Sequence, residues 1–179
     1  GQVHGARAAR REHRERVRFE SRWALRPLDL LQALNELRPR VVHFSGHGAD
    51  TDEILFQDSD GRTKLVSKEA LVQTIAAASS DVQLVFFNTC YSRGQAEAVV
   101  KHVPAAIGMK TTIGDNAARV FSAQFYSAIG FGLSVGKAFA QARAALMLES
   151  IPEDLTPELF VTEGLDADAL VLVRPEELG

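Results

Sequence analysis

The sequence has little cysteine, and Cys90 is its only one. A single thiol excludes an internal disulfide framework and any zinc site built from several thiolates. The sequence also lacks an apolar run near the roughly 18 residues of a membrane-spanning helix, and no signal-peptide h-region follows its arginine-rich start. These absences predict a cytoplasmic chain with no metal, no cofactor and no membrane contact. They leave Cys90 available as a lone nucleophile.

The net charge is only -3, but the positive and negative residues are unevenly distributed along the sequence. Arginines crowd the first residues, whereas the charged residues from Glu149 to Glu177 are almost all acidic. Glutamates interleave with the arginines and no series of aromatic residues follows them. A solvated helix face therefore explains the arginines better than a nucleic-acid surface, and we predict no nucleic-acid binding.

The 179 residues, 46% of them hydrophobic, fit a single domain over 1–179 with a sizeable core. Apolar runs predict strands at 41–45, 83–88 and 105–109, a hairpin of 54–56 with 64–66, and edge strands at 159–161 and 170–173. Helical patterns lie at 27–37, 67–78, 95–102, 116–129 and 135–148. A polar helix at 4–16 and a short strand at 17–23 come first. This alternation predicts an α/β fold with a mostly parallel sheet between helices.

Two predicted strands end in residues that carry chemistry. The strand at 41–45 leads into Gly46-His47-Gly48, and the strand at 83–88 leads into Thr89-Cys90. Ligand sites in parallel sheets lie beyond the carboxyl ends of the strands. A thiol is mostly protonated at neutral pH, so a nucleophilic cysteine needs a base, which His47 could supply. The glycines permit a sharp turn, and the amides of Gly48 and Cys90 could then face a developing oxyanion.

Other interpretations of these residues remain open. His47 could lie in a phosphate loop or a plain turn, and Cys90 could be a small buried hydrophobic residue. The pair at matching strand ends favours catalysis. A nucleotide loop is the weaker alternative, because neither the GxGxxG spacing nor a P-loop lysine is present. His43, on the strand itself, is predicted to be structural, and Phe121, Phe125, Phe139 and Met147 are at core spacing.

The segments His43-Phe44-Ser45-Gly46-His47-Gly48 and Phe87-Asn88-Thr89-Cys90-Tyr91-Ser92 together resemble the CHAT domain, a caspase-like branch of the cysteine peptidases. The resemblance covers roughly residues 17–148 and includes Arg26-Pro27-Leu28-Asp29-Leu30-Leu31, Ala106-Ile107-Gly108-Met109, Asp115 and Ser134-Val135-Gly136-Lys137-Ala138-Phe139. It implies a caspase-like three-layer sandwich and a thiol endopeptidase. In that enzyme Cys90 attacks the scissile carbonyl, His47 protonates the leaving amine, and the amides of Gly48 and Cys90 hold the oxyanion.

The resemblance also implies a substrate pocket. Asn88 stands where the caspase motif has its S1-lining glutamine, and Asp115 falls on the position that looks like the acidic S1 residue of separases. A buried carboxylate there would favour a P1 arginine or lysine. Asp115 could equally be an N-cap of the helix that follows. A preference for aspartate is disfavoured, since Arg93 is the only arginine near the motifs.

The chain departs from the family pattern at its start. CHAT domains usually open with an apolar strand that lies centrally in the sheet, and we expect this chain to lack that first strand. The strand is then supplied from outside the chain or replaced by residues 17–23. The resemblance further implies a protein or peptide substrate, a larger parent protein with sensing or oligomerisation domains, an activating partner, and a role in bacterial defence or cell death. A catalytically silent interaction module is the competing hypothesis.

Overall fold

The computed structural model describes residues 27–45, 53–57, 60, 62–78 and 81–174, and it describes residues 53–57 and Thr63 by their backbone alone. The predicted helix at 4–16 and strand at 17–23 lie outside these residues. The elements are, in chain order, α1 (Pro27–Leu37), β1 (Val41–Ser45), β2 (Glu53–Gln57), β3 (Thr63–Ser67), α2 (Lys68–Ala77), β4 (Leu84–Asn88), α3 (Arg93–Val99), β5 (Ala105–Met109), α4 (Asp115–Gly130), α5 (Val135–Leu148), β6 (Pro157–Val161) and a 3-10 turn (Ala167–Ala169).

The main sheet has the strand order β1-β4-β5-β6. Its first three strands are parallel and β6 is antiparallel to β5, which confirms the mostly parallel sheet. The described strands pair without interruption and β1 forms one edge, so no further strand lies between them. The predicted strand at 170–173 is wrong. Its Val171 makes only an isolated bridge with Ser134, because this segment instead pairs at the start of α5, where Val135 N–H donates to Leu170 O.

Strand β4 is the middle of a three-layer sandwich. Its Leu84, Val85, Phe86 and Phe87 are all fully buried. Because side chains alternate along a strand, Leu84 and Phe86 pack into one core with α4 and α5, while Val85 and Phe87 pack into a second core with α1, α2 and α3. This arrangement confirms the predicted α/β sandwich with helices on both faces of the sheet.

The long helices α4 and α5 fill the first of these cores. Phe121, Phe125 and Phe139 are buried as predicted. Met147 is 65% exposed, so its predicted place in the core is wrong. Leu146, the residue before it, is fully buried. Met147 therefore lies on the side of α5 that faces away from the core.

Helix α3 packs directly on β5 at Gly108. A Cβ atom at this position would lie 2.7 Å from the carbonyl oxygen of Ser92 and 2.8 Å from the Cβ of Ala96. Contacts this short are repulsive, so only glycine permits this approach of helix and strand. The close packing brings the turn between β4 and α3, which carries Cys90, against the end of β5.

The hydroxyl of Ser92 holds this turn together. Ser92 is buried, and its single hydroxyl hydrogen is shared between the carbonyl oxygens of Thr89, at 2.7 Å, and Phe87, at 3.1 Å. The same oxygen accepts a hydrogen bond of 2.9 Å from the backbone N–H of Met109. One side chain after the turn thus bonds two carbonyls before the turn and an N–H group of the neighbouring strand.

His43 has a structural role, as predicted. Its Nδ1 lies 2.7 Å from the hydroxyl of Tyr126 on α4, and its ring centroid lies 4.8 Å from that of Phe86. Although part of the residue remains exposed at the edge strand, the hydrogen-bonded side of the ring is enclosed by these aromatic groups. This desolvation lowers the pKa of His43 to about 4, so the imidazole is neutral at physiological pH.

We predict that Ser92→Ala lowers the free energy of unfolding by about 1–3 kcal/mol, because it leaves buried backbone groups without their hydrogen-bond partner. Denaturant unfolding measures this effect. The control is Ser122→Ala, since the Ser122 hydroxyl makes only an exposed 3.3 Å bond to its own helix. The control should change stability by no more than about 0.5 kcal/mol. Equal losses in the two variants would contradict the role given to Ser92.

We predict that His43 contributes to a loss of stability in mild acid. Its pKa is lowered from 6.5 in the unfolded chain to about 4 in the folded chain, so unfolding takes up a proton between these two values. Stability present above pH 6.5 is therefore lost as the pH falls toward 4. Urea midpoints of the wild type and His43→Gln across this range test the effect. An identical pH slope in the two proteins would show that His43 is not responsible.

Candidate active site

The ends of β1 and β4 lie side by side. In the parallel pairing of these strands Ser45 is opposite Asn88, the last residue of each strand. Cys90 follows Asn88 by two residues at this carboxyl edge of the sheet, where ligands of parallel sheets bind. His47 and Gly48 follow Ser45 in the sequence but lie outside the described residues.

The thiol of Cys90 contacts the loop between β5 and α4. Cys90 is half-buried, and its Sγ accepts a hydrogen bond of 3.4 Å from the backbone N–H of Ile113. The S–H can donate in return to Ile113 O, at the longer distance of 3.8 Å. The backbone of Ile113 therefore holds the thiol group through both its N–H and its carbonyl oxygen.

The backbone turns sharply immediately after Cys90. Tyr91 has a φ of 56°, in the left-handed region that is unfavourable for residues other than glycine. Its N–H donates to Thr111 O at 3.1 Å, which fixes the turn to the loop after β5. Among the residues described by the structure, the N–H of Cys90 itself has no acceptor.

Asn88 directs its side chain toward α4. Its Nδ2 lies 3.5 Å from the carbonyl oxygen of Ala118, at the limit of a hydrogen bond. Its Oδ1 is buried and has no hydrogen-bond partner within the described part of the chain. The structure thus brings Asn88 and Cys90 to the same end of α4.

Asp115 is the first residue of α4, and it is exposed. The N-cap residue is Gly114, so the interpretation of Asp115 as an N-cap is wrong. A carboxylate in the first turn is stabilised by the helix dipole without any capping bond. Asp115 follows Ile113, the residue that contacts the thiol, by two positions.

A second carboxylate at this helix end was not predicted from the sequence. Glu153, in the segment after α5, accepts a hydrogen bond of 2.8 Å from the backbone N–H of Gly114 through its Oε1. No local pattern in the sequence links these two residues, because the contact joins segments far apart along the chain. Glu153 and Asp115 make this end of α4 acidic.

The basic groups near the turn are paired. Arg93, the residue expected to be the only nearby arginine, forms a 3.0 Å ion pair with Glu158 on β6. Its guanidinium also lies 6.0 Å from the centre of the Phe160 ring. Lys110 approaches the other oxygen of Glu158 at 3.7 Å. Arg93 is thus occupied by the edge strand and does not form an open basic pocket.

A cavity of about 540 Å³ lies at the opposite, amino-terminal end of the strands, and it is lined by Arg38, Arg40, Asp81, Gln83, Val171, Leu172 and Arg174. Arg38 pairs with Asp81 at 3.0 Å, and Arg40 donates to Leu172 O at 3.1 Å. Two of the three arginines that line the cavity thus make structural contacts. The cavity is separate from the residues around Cys90.

The described residues contain neither a cluster of metal ligands nor a helix that could span a membrane. No group of three or more His, Cys, Asp and Glu side chains among them is arranged to hold a metal ion. Within the same residues, every helix is too short or too polar to cross a membrane.

Comparison with known proteins supports a caspase-like protease family. The family model of the CHAT domain matches residues 2–160. A protein of Gillisia limnaea named "Probable protease" is 26% identical over 98 residues, which are 54% of this chain and 17% of that protein. The chain therefore spans about a sixth of the length of this relative. Because the family model covers most of its length, the chain belongs to the CHAT domain family.

Proposed function

We propose that this chain is a cysteine endopeptidase module in which Cys90 and His47 form the catalytic dyad. The proposal is based on the position of Cys90 at the end of β4. There the sole cysteine lies at the carboxyl edge of a parallel sheet, beside the strand that leads to His47, and its amide has no acceptor among the described residues. The family membership supports the same reaction class.

The proposed reaction begins with the thiolate of Cys90 attacking the scissile carbonyl carbon. The bond between sulfur and carbon forms as the carbonyl π electrons move to oxygen, and the amides of Cys90 and Gly48 bind the resulting oxyanion. His47 takes the thiol proton and donates it to the leaving amine when the C–N bond breaks. Water then hydrolyses the acyl-enzyme and restores the thiol. No metal or cofactor is needed for these steps.

A basic P1 residue fits the charges around the turn. The nearest arginine is paired with Glu158, whereas Asp115 and Glu153 leave the adjacent end of α4 acidic. A P1 arginine could form charge-assisted hydrogen bonds with Asp115. Asn88 lies at the same end of α4, where its Oδ1 has no hydrogen-bond partner among the described residues. A P1 aspartate would instead meet carboxylates. We therefore assign Asn88 and Asp115 to the S1 pocket.

The family resemblance supports a wider context for this activity. We infer a module of a larger cytoplasmic protein, with a protein or peptide substrate and with sensing or oligomerisation domains that activate it. A regulated effector in bacterial defence or cell death fits these properties. We infer no direct binding of nucleic acid or membrane.

A catalytically silent interaction module is the second candidate. The contacts of the Cys90 sulfur with Ile113 favour it, because they engage the thiol with its own backbone in place of a substrate. Activity of the isolated chain distinguishes the two candidates.

We predict that Cys90→Ala abolishes peptide cleavage and leaves the chain folded, because alanine removes the nucleophile while remaining small and apolar. Cleavage of a peptide library by mass spectrometry and circular dichroism of the variant measure the two effects. Full peptidase activity in Cys90→Ala would contradict the proposed mechanism. His47→Ala should lose cleavage in the same way.

We predict that an acyloxymethyl ketone with arginine at P1 labels Cys90 faster than the aspartate version. Since the chain has one cysteine, the intact mass reports labelling at this residue. Asp115→Asn should reduce labelling by the arginine probe about tenfold or more, the effect of losing a charged hydrogen-bond partner. Asp81→Asn, at the opposite end of the sheet, is the matched control.

Each outcome of this labelling has a distinct meaning. Equal labelling by the two probes would contradict the basic P1 preference. A loss in Asp81→Asn as large as that in Asp115→Asn would contradict a specific role for Asp115. Failure of both probes to label the wild-type chain would favour the silent module.

A further inference from the structure

The loop between β5 and α4 contacts the candidate nucleophile through a single residue. Both hydrogen-bond contacts of the Cys90 sulfur are with the backbone of Ile113, from its N–H at 3.4 Å and to its carbonyl oxygen at 3.8 Å. Any movement of Ile113 therefore changes the groups that surround the sulfur. The features that fix Ile113 are thus important for the properties of the thiol.

Glu153 holds the next peptide unit from the other side. The carbonyl of Ile113 and the N–H of Gly114 belong to the same planar peptide, and this N–H donates to Glu153 Oε1 at 2.8 Å. A Cβ atom at Gly114 would lie 3.4 Å from Glu153 Oε2 and 3.6 Å from Oε1, so the carboxylate lies directly against this glycine. The peptide is held between the carboxylate and the Cys90 thiol.

The segment that carries Glu153 is itself anchored to the fold. Thr156 N–H donates to Glu153 O at 3.1 Å, and Thr156 O accepts from Lys110 N–H at 2.9 Å, at the start of the same loop. Arg143 on α5 donates to Asp154 O at 2.9 Å. The carboxylate is therefore fixed relative to the loop that it contacts.

We propose that Glu153 is a positioning residue that keeps the backbone of Ile113 in contact with the sulfur of Cys90. This inference rests on the proposed function of Cys90 as the nucleophile. The peptide that Glu153 holds carries the Ile113 carbonyl, which contacts the sulfur. Glu153 thus helps to position the nucleophile without touching the substrate.

Glu153 also acts on its surroundings through its negative charge, which is an effect separate from positioning. Glu153→Gln removes this charge and keeps an oxygen that can accept from Gly114 N–H. Glu153→Ala removes both the charge and the acceptor. Comparison of the two variants therefore separates positioning from charge.

The other charged groups on the elements around Cys90 are unchanged in both variants. They are Arg93 on α3, Lys110 after β5, Asp115 on α4 and Glu158 on β6. His47, outside the described residues, is controlled by repeating the measurement in a His47→Ala background. The ratio between the Glu153 variants should be the same in that background.

The test is the rate of Cys90 alkylation by iodoacetamide as a function of pH, followed by intact mass. We expect the alkylation rate of Glu153→Ala to differ from that of the wild type by about threefold or more at neutral pH, because the backbone groups around the sulfur move. Glu153→Gln should react at nearly the wild-type rate. Circular dichroism at each pH confirms that the variants are folded.

Two results would overturn the proposal. An unchanged pH profile in Glu153→Ala, with only a lower unfolding temperature, would show a purely structural role. Faster alkylation of both variants would show that the charge of Glu153 dominates. Because iodoacetamide needs no substrate pocket and no dyad, the test remains decisive even if the chain has no peptidase activity.

Discussion

The buried hydroxyl of Ser92 is the interaction on which the arrangement around Cys90 depends. It joins the carbonyls of Phe87 and Thr89 to the N–H of Met109, so the turn after β4 is bonded to the end of β5. This bonding helps to hold Tyr91 in its left-handed conformation, which is unfavourable for a residue with a Cβ. In the described part of the chain, the amide of Cys90 has no hydrogen-bond acceptor.

The position of this turn follows from the burial of β4 on both faces. A strand between two cores has no freedom to slip, because a shift of one residue would exchange the side chains of the two helical layers. The register of β4 against β1 is therefore fixed, and both strands end at the same level. Gly108 completes the constraint by letting α3 approach β5. The packing of the sheet therefore fixes the position of the turn that carries Cys90.

Much of the fold could be predicted from local patterns. The apolar runs of β1, β4 and β5 and the cap at Ser67 are visible in the sequence, and the structure confirms them. Met147 shows the limit of periodicity, since neighbouring apolar positions on α5 differ in burial. The contacts of Glu153 with Gly114 and of Ile113 with Cys90 join distant segments, so no local pattern predicts them. The roles of His47, Gly48, Asn88, Cys90 and Asp115 stay predictions.

The acidic end of α4 determines how the proposed nucleophile can be activated. A helix N-terminus carries a positive partial charge that favours a nearby thiolate, and α4 is a helix of 16 residues. Here, however, Asp115 lies in the first turn and Glu153 binds the N-cap amide, and these negative charges oppose that field. The field of the helix at Cys90 is therefore weakened. The proposed reaction depends instead on groups that contact the sulfur directly, the N–H of Ile113 in the structure and the imidazole of His47 in the proposed dyad.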